Sequence, residues 1–279
     1  MATVRAGRSV TRYLRMYGAP PRYRRAQRLV LTTADGVRHN AWRLAGPTGA
    51  RFSAVLVHGF VNSSRSPAVH AFARRLAESA HVVVPDMRGH GRSGGRCSMG
   101  RHEPLDVAAA VDAAVSARPD LPVVTIGTSL GGAAVLLHAG TKGGVAGVVA
   151  VSAPGWGELD RVGSVRVRRW VSGRTARIAL AVVLRTRVGP DCIYLPEAAA
   201  VVAAISPAFT LVVHDPDDWY FGPDHAEAIH RWAAEPKDLW WYHGAGHGTD
   251  LLTPEFADRL LDHLGRRLAA SPDGSPATS

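Results

Sequence analysis

The stretch that most limits what this chain can fold into runs from Leu121 to His138. Val123 to Ile126 is β-branched and apolar and reads as a buried strand, while Leu130 to His138 is rich in alanine and leucine and reads as a helix packed on a sheet. Between them stands Gly127-Thr-Ser-Leu-Gly131, a G-x-S-x-G turn. A strand that reverses so sharply into a helix brings backbone into close contact two residues either side of the serine, where side chains would clash. Both glycines therefore have a mechanical reason to be there. The turn lifts the Ser129 hydroxyl above the sheet edge and points nearby main-chain N–H groups at whatever binds there. Without its flanks the pattern could be a glycine-rich turn with an incidental serine, and the strand before and helix after give it its context.

The remaining chain supplies the sheet that such a turn needs. Arg28–Thr33 and Val37–Leu44 read as a β-hairpin turning at Asp35-Gly36. Phe52–Val57, His81–Pro85, Val145–Ser152, Thr210–His214 and Asp238–Tyr242 read as strands, and Pro67–Ala80, Leu105–Ala117 and Pro254–Leu268 as helices. Continuously apolar strands alternating with helices predict an α/β fold whose mostly parallel sheet is flanked by helices on both faces. Gly155 to Pro207 is too long for a simple crossover and reads as an inserted, mainly helical cap, most apolar from Arg177 to Leu184. The expected division is a basic, helical N-terminal segment at 1–26, a core at 27–155 and 208–270, a cap at 156–207, and a disordered Pro/Ser/Gly-rich tail at 271–279.

Charge excludes one class of partner. The formal net charge is +10, yet residues 1–30 and 161–190 each hold eight arginines and no acid, so the remainder is net acidic. A uniformly basic nucleic-acid binder is not built this way. The arginine-rich stretches read as solvated surface, with contact to an anionic substrate or peripheral contact with an anionic membrane surface as the other reading. The N-terminal segment itself could be a lid, a dimer contact or an interfacial helix. Two cysteines, Cys97 and Cys192, imply no disulfide framework and a cytoplasmic setting. There is no eighteen-residue apolar run and no apolar leader of the signal-peptide kind.

A serine hydroxyl is a poor nucleophile at neutral pH and needs a base within hydrogen-bond reach, itself oriented by a third group. Loops after two later strands offer both. His214-Asp-Pro-Asp-Asp218 follows one, and His243-Gly-Ala-Gly-His247 follows the next. His247 is preferred to His243 because a Gly-Ala-Gly turn can carry its imidazole back over the sheet edge, and Asp218 is the expected acid with Asp217 in reserve. The loop at Ser152-Ala-Pro, another place for an acid, has no carboxylate. Two N–H donors for a developing oxyanion are expected from Leu130, directly after the serine, and from Phe60 in His58-Gly-Phe60, with His58 as a brace for that loop. Trp170, Trp219, Tyr220 and Phe221 are candidates for the wall of a substrate pocket under the cap, beside Phe60 and Leu130.

These residues, with Asp86-Met-Arg-Gly-His-Gly-Arg-Ser93, stand in the order found in serine hydrolases of the α/β-hydrolase fold, and from about Arg28 to Leu268 the chain resembles that family. The segment Arg88–Ser93 is similar to one in esterases of the monoacylglycerol-lipase kind. The resemblance implies cleavage of carboxylic esters of small molecules through an acyl-enzyme, with Ser129 as nucleophile, His247 as base and Asp218 as its partner, and without metal or cofactor. It leaves a thioesterase or acyltransferase using the same triad as the alternative, and a non-catalytic ligand binder as a third. The chain departs from the family at Asp215, where glycine is usual, and at Trp219, where proline is usual, and this keeps Asp217 in play.

Overall fold

Strands with apolar side chains on both faces can be stable only in the middle of a sheet that is covered twice. A computed structural model of the chain shows how this is met, and it describes residues 22–23, 25–156, 169, 173–190 and 197–270. Eight strands form one sheet: β1 (Gln27–Thr32), β2 (Arg38–Leu44), β3 (Ser53–Val57), β4 (His81–Pro85), β5 (Val123–Thr128), β6 (Gly147–Val151), β7 (Phe209–His214) and β8 (Lys237–Trp241). Their spatial order is β1-β2-β4-β3-β5-β6-β7-β8. The first hairpin and the β2–β4 pair are antiparallel, and every later pair is parallel.

The pleat sorts the side chains to two faces. Val55 and Val57 of β3 join one apolar cluster, and Ala54 and Leu56 join the other. Helices α2 (Glu103–Ala117), α3 (Leu130–Lys142) and α5 (Pro223–Trp232) cover the first face through residues such as Val111, Leu136 and Ile229. Helices α1 (Pro67–Leu76) and α6 (Pro254–Ala270) cover the second through Phe72, Leu76, Phe256 and Leu260. Helix α1 stops at Leu76, short of the expected Ala80. The amides of Ser79 and Ala80 both turn back to the Leu76 carbonyl, which reverses the chain in time to enter β4 at His81. Among the described residues, helix α5 is the one sheet-covering α-helix not read from the sequence.

Between β6 and β7 the described residues include helix α4 (Arg174–Val183) and short 3-10 turns at Ala198–Ala200 and Val202–Ile205. The stretch after α4 docks on the loop that follows β4. Arg187 donates to the Gly89 carbonyl at 2.7 Å, Cys97 donates to that of Arg187 at 2.8 Å, and Gly189 donates to that of Cys97 at 2.8 Å. Leu180 and Val188 are buried beside Phe60 and Val61, so this insertion covers the loop that follows β3. Most of the N-terminal segment, much of the expected cap and the tail lie outside the described residues.

Candidate active site

The sharp turn after β5 has the backbone its sequence demands. Ser129 is held at φ 54° and ψ −118°, a conformation that costs a side-chain-bearing residue about 1–3 kcal/mol. The sheet holds it there. The Ser129 amide donates to the Val151 carbonyl of β6 at 2.8 Å, and its carbonyl accepts from Ala133 at 3.0 Å. A Cβ on Gly131 would stand 2.5 Å from the Val57 carbonyl oxygen, and one on Gly127 would strike the Gly131 carbonyl. Both glycines are required because the strand and the helix of the turn touch main chain to main chain.

His247 reaches this serine from the loop after β8. Its Nε2 lies 2.9 Å from Ser129 Oγ, and its Nδ1 lies 2.6 Å from Asp218 Oδ2. With a carboxylate at Nδ1, the proton belongs on that nitrogen, and Nε2 is left to accept from the serine hydroxyl. Asp218 is fully buried, and its other oxygen accepts from the Tyr220 amide at 2.7 Å. Asp217 is exposed, and its amide turns inward to Asp215 Oδ1. His243 is exposed as well. The structure thus brings together Ser129, His247 and Asp218 and leaves Asp217 and His243 outside.

The loop after β3 lies against the same serine. A Cβ on Gly59 would be 3.2 Å from Ser129 Cβ, so a glycine there is what lets Phe60 come close. The Val61 amide donates to His90 Nε2 at 3.2 Å. Among the described residues no acceptor meets the amides of Phe60 and Leu130. His58 braces this loop as expected. Its Nε2 accepts from the Met87 amide at 3.0 Å and its Nδ1 lies 2.8 Å from the Gly59 carbonyl, and burial pushes its pKa down. Burial likewise lowers the His90 pKa to about 3, and the Nε2 of each ring, accepting from a main-chain N–H, is its deprotonated nitrogen.

Of the expected pocket residues, Tyr220 has its ring 4.5 Å from that of His247, and Phe221 lies 5.5 Å away and is buried. Trp219 is 44% exposed and packs on Tyr220 at 3.8 Å. Trp170 lies outside the described residues. Three bracing groups escape the sequence reading. Ser152 Oγ accepts from the Gly248 amide, Asp250 Oδ2 accepts from the His247 amide, and Asp215 accepts from Gly244 and Gly246. Among the described residues no group of three His, Cys, Asp or Glu side chains could hold a metal ion.

Comparison with known proteins identifies the family. Residues 49–205, more than half of the chain, match the family described as serine aminopeptidase, S33. The chain belongs to that family. It is therefore a hydrolase, and its fold is that of the α/β-hydrolases. No curated protein matches it by sequence. Among solved structures, the esterase Pf2001 of Pyrococcus furiosus is 17% identical, with a TM-score of 0.69 over 90% of this chain and 98% of that one. The α/β hydrolase GrgF from Penicillium sp. sh18 is 19% identical, with a TM-score of 0.71 over 88% of this chain and 99% of that one. A membrane phospholipase A described as a bacterial virulence factor is 17% identical, with a TM-score of 0.66 over 96% of this chain and 92% of that one. At these identities the likeness is one of fold.

Proposed function

We propose that this S33-family hydrolase cleaves carboxylic esters of small molecules by a Ser129-His247-Asp218 triad. The observation that supports it most is the unbroken line of hydrogen-bond distances from Asp218 through both imidazole nitrogens to Ser129 Oγ. Ser129 attacks the carbonyl carbon while His247 takes the hydroxyl proton, and Asp218 stabilises the resulting imidazolium. The oxyanion is met by the amides of Phe60 and Leu130. Collapse expels the alcohol, which receives its proton from His247, and leaves an acyl group on Ser129. Water, deprotonated by His247, then attacks the acyl-enzyme and releases the acid. The aromatic rings of Tyr220 and Phe221 beside His247, with Phe60 on the loop next to the serine, favour an apolar acyl or alkyl group over a charged peptide terminus.

A series of p-nitrophenyl esters from acetyl to palmitoyl, run beside an acyl-thioester and an aminoacyl p-nitroanilide, tests the bond and the group. Oxyester turnover with a defined optimum of chain length is expected. Faster thioester turnover would move the assignment to a thioesterase, and faster anilide turnover would move it to an aminopeptidase. No serine-dependent turnover of any of them would leave a ligand-binding member of the fold.

A surface observation adds a partner to this reading. Helix α4 exposes Ile178, Val182 and Val183 at 58%, 75% and 71%, and Arg174 and Arg185 near its two ends are exposed with them. We propose that this helix of the cap rests on an anionic bilayer from which an acyl substrate is drawn. The helices of the described residues are too short or too polar to cross a membrane. Co-sedimentation with phosphatidylglycerol vesicles is expected to exceed that with phosphatidylcholine and to weaken in high salt. Val182→Asp is expected to weaken it roughly tenfold, about the value of burying one such side chain. Equal recovery with both lipids, or no change in the variant, would remove the membrane from the assignment.

A further inference from the structure

The turn that carries His247 is rich in glycine, and its own chain holds the amides of Ala245 and His247, through the Tyr242 carbonyl and Asp250, but not those of Gly244 and Gly246. Gly244 and Gly246 stand at φ 70° and 95°, and Gly248 at 58°, so the loop draws on residues with the most conformational freedom to lose. Ordering each residue costs about 1–2 kcal/mol, and an imidazole that transfers protons must be held within about 0.5 Å of its productive position. Anchors from outside the turn are therefore needed. Asp215, the residue directly after β7 and only 1% exposed, supplies them. Its Oδ1 accepts from the amides of Asp217 at 3.0 Å and Gly244 at 3.2 Å, and its Oδ2 accepts from the amide of Gly246 at 2.6 Å. Its carbonyl accepts from the Asp218 amide at 2.9 Å. One residue thus ties a strand end to the loop of the acid and to two glycines of the histidine turn.

We propose that Asp215 is a positioning residue for His247, holding the Asp218 loop and the His247 turn in one register. The inference rests on the triad assignment above. Hydrogen bonds to a carboxylate are roughly twice as strong as neutral ones, so this brace is stiffer than the turn it holds. Without it the N–H groups of Gly244 and Gly246 lose their acceptors, the turn reopens to its other backbone states, and Nε2 drifts from Ser129. Asp215 touches neither the serine nor the imidazole, so its loss acts on the chemical step and spares substrate binding.

The test compares Asp215→Ala and Asp215→Asn with wild type on the p-nitrophenyl ester that wild type cleaves best, with kcat taken per active site titrated by a serine-directed phosphonate. Asp215→Ala is expected to lower kcat ~10–100-fold, to leave KM within about twofold, and to slow phosphonate inactivation by the same factor. Asp215→Asn keeps an oxygen for Asp217 and Gly244 and loses only the acceptor of Gly246, so it is expected to fall between. A purely structural role would lower the melting temperature and the titratable fraction while kcat per titrated site stayed at the wild-type value, and that result overturns the proposal. Should Asp215→Ala not fold, the asparagine variant decides alone, since a wild-type kcat and inactivation rate there would overturn the proposal equally. A wild-type protein without serine-dependent turnover or labelling overturns the hydrolase reading, and this one with it.

Discussion

Ser129→Ala is expected to lower kcat for the best p-nitrophenyl ester by about a millionfold, and His247→Ala by as much. The two losses should not add, because nucleophile and base act as one unit. Once either is gone, the other has nothing to exchange a proton with, and the double variant is expected to match the single ones. A residual acceleration of ~10³–10⁴ over water should remain, from binding and from the Phe60 and Leu130 amides. The fold should be unaffected by Ser129→Ala. The positive φ at this position is imposed by the bonds from its main chain to Val151 and Ala133, and neither involves the hydroxyl. Stopped assays of the purified variants, with intact-protein mass spectrometry after phosphonate treatment, make the check. Wild-type protein should gain one phosphonyl group and Ser129→Ala none. Activity in Ser129→Ala above about a hundredth of wild type would exclude this serine as the nucleophile.

The features most legible in the sequence are those set by neighbours along the chain. The β1–β2 hairpin follows from Asp35-Gly36, with Gly36 at φ 78°, and the elbow follows from two glycines that cannot carry side chains. The alternation of apolar strands with helices implies the parallel sheet, but not that β4 lies between β2 and β3, which depends on contacts across the sheet. Helix α5, absent from the sequence reading, does carry a local signal. Pro223 stands in its first turn, and His225, Ala226, Ala228 and Ile229 are buried at helical spacing. Asp215 could not be read this way. Its role is set by amides 29 and 31 residues away, and sequence offers no sign of which main-chain groups will face a carboxylate. The same limit applies to the docking of residues 187–189 on Gly89 and Cys97, which exists only once the insertion has folded back over the β4 loop.

The choice between Asp218 and Asp217 lies on that boundary, and Asp218→Asn is expected to settle it with a loss of about 10⁴-fold in kcat, against less than about twofold for Asp217→Asn. Two adjacent aspartates in a tight turn point to different sides, so at most one of them can meet the imidazole. Asp218 does so with Oδ2 at 2.6 Å from Nδ1, and its other oxygen is fixed by the Tyr220 amide. Asparagine in its place can present an N–H where the oxygen was, which favours the tautomer with Nδ1 as acceptor. Nε2 then carries a proton and cannot take one from Ser129. The defect is electronic more than geometric, so binding should survive and KM should change little. Asp217 is exposed, and its tie to the site runs through its amide to Asp215, which asparagine retains. Deprotonating the serine in advance should repair part of the Asp218→Asn defect, so its kcat should rise with pH beyond the point where wild type has levelled off. A large loss only in Asp217→Asn would place the acid at 217 and require the loop to rearrange when substrate binds, and equal losses in both variants would overturn the assignment to Asp218 alone.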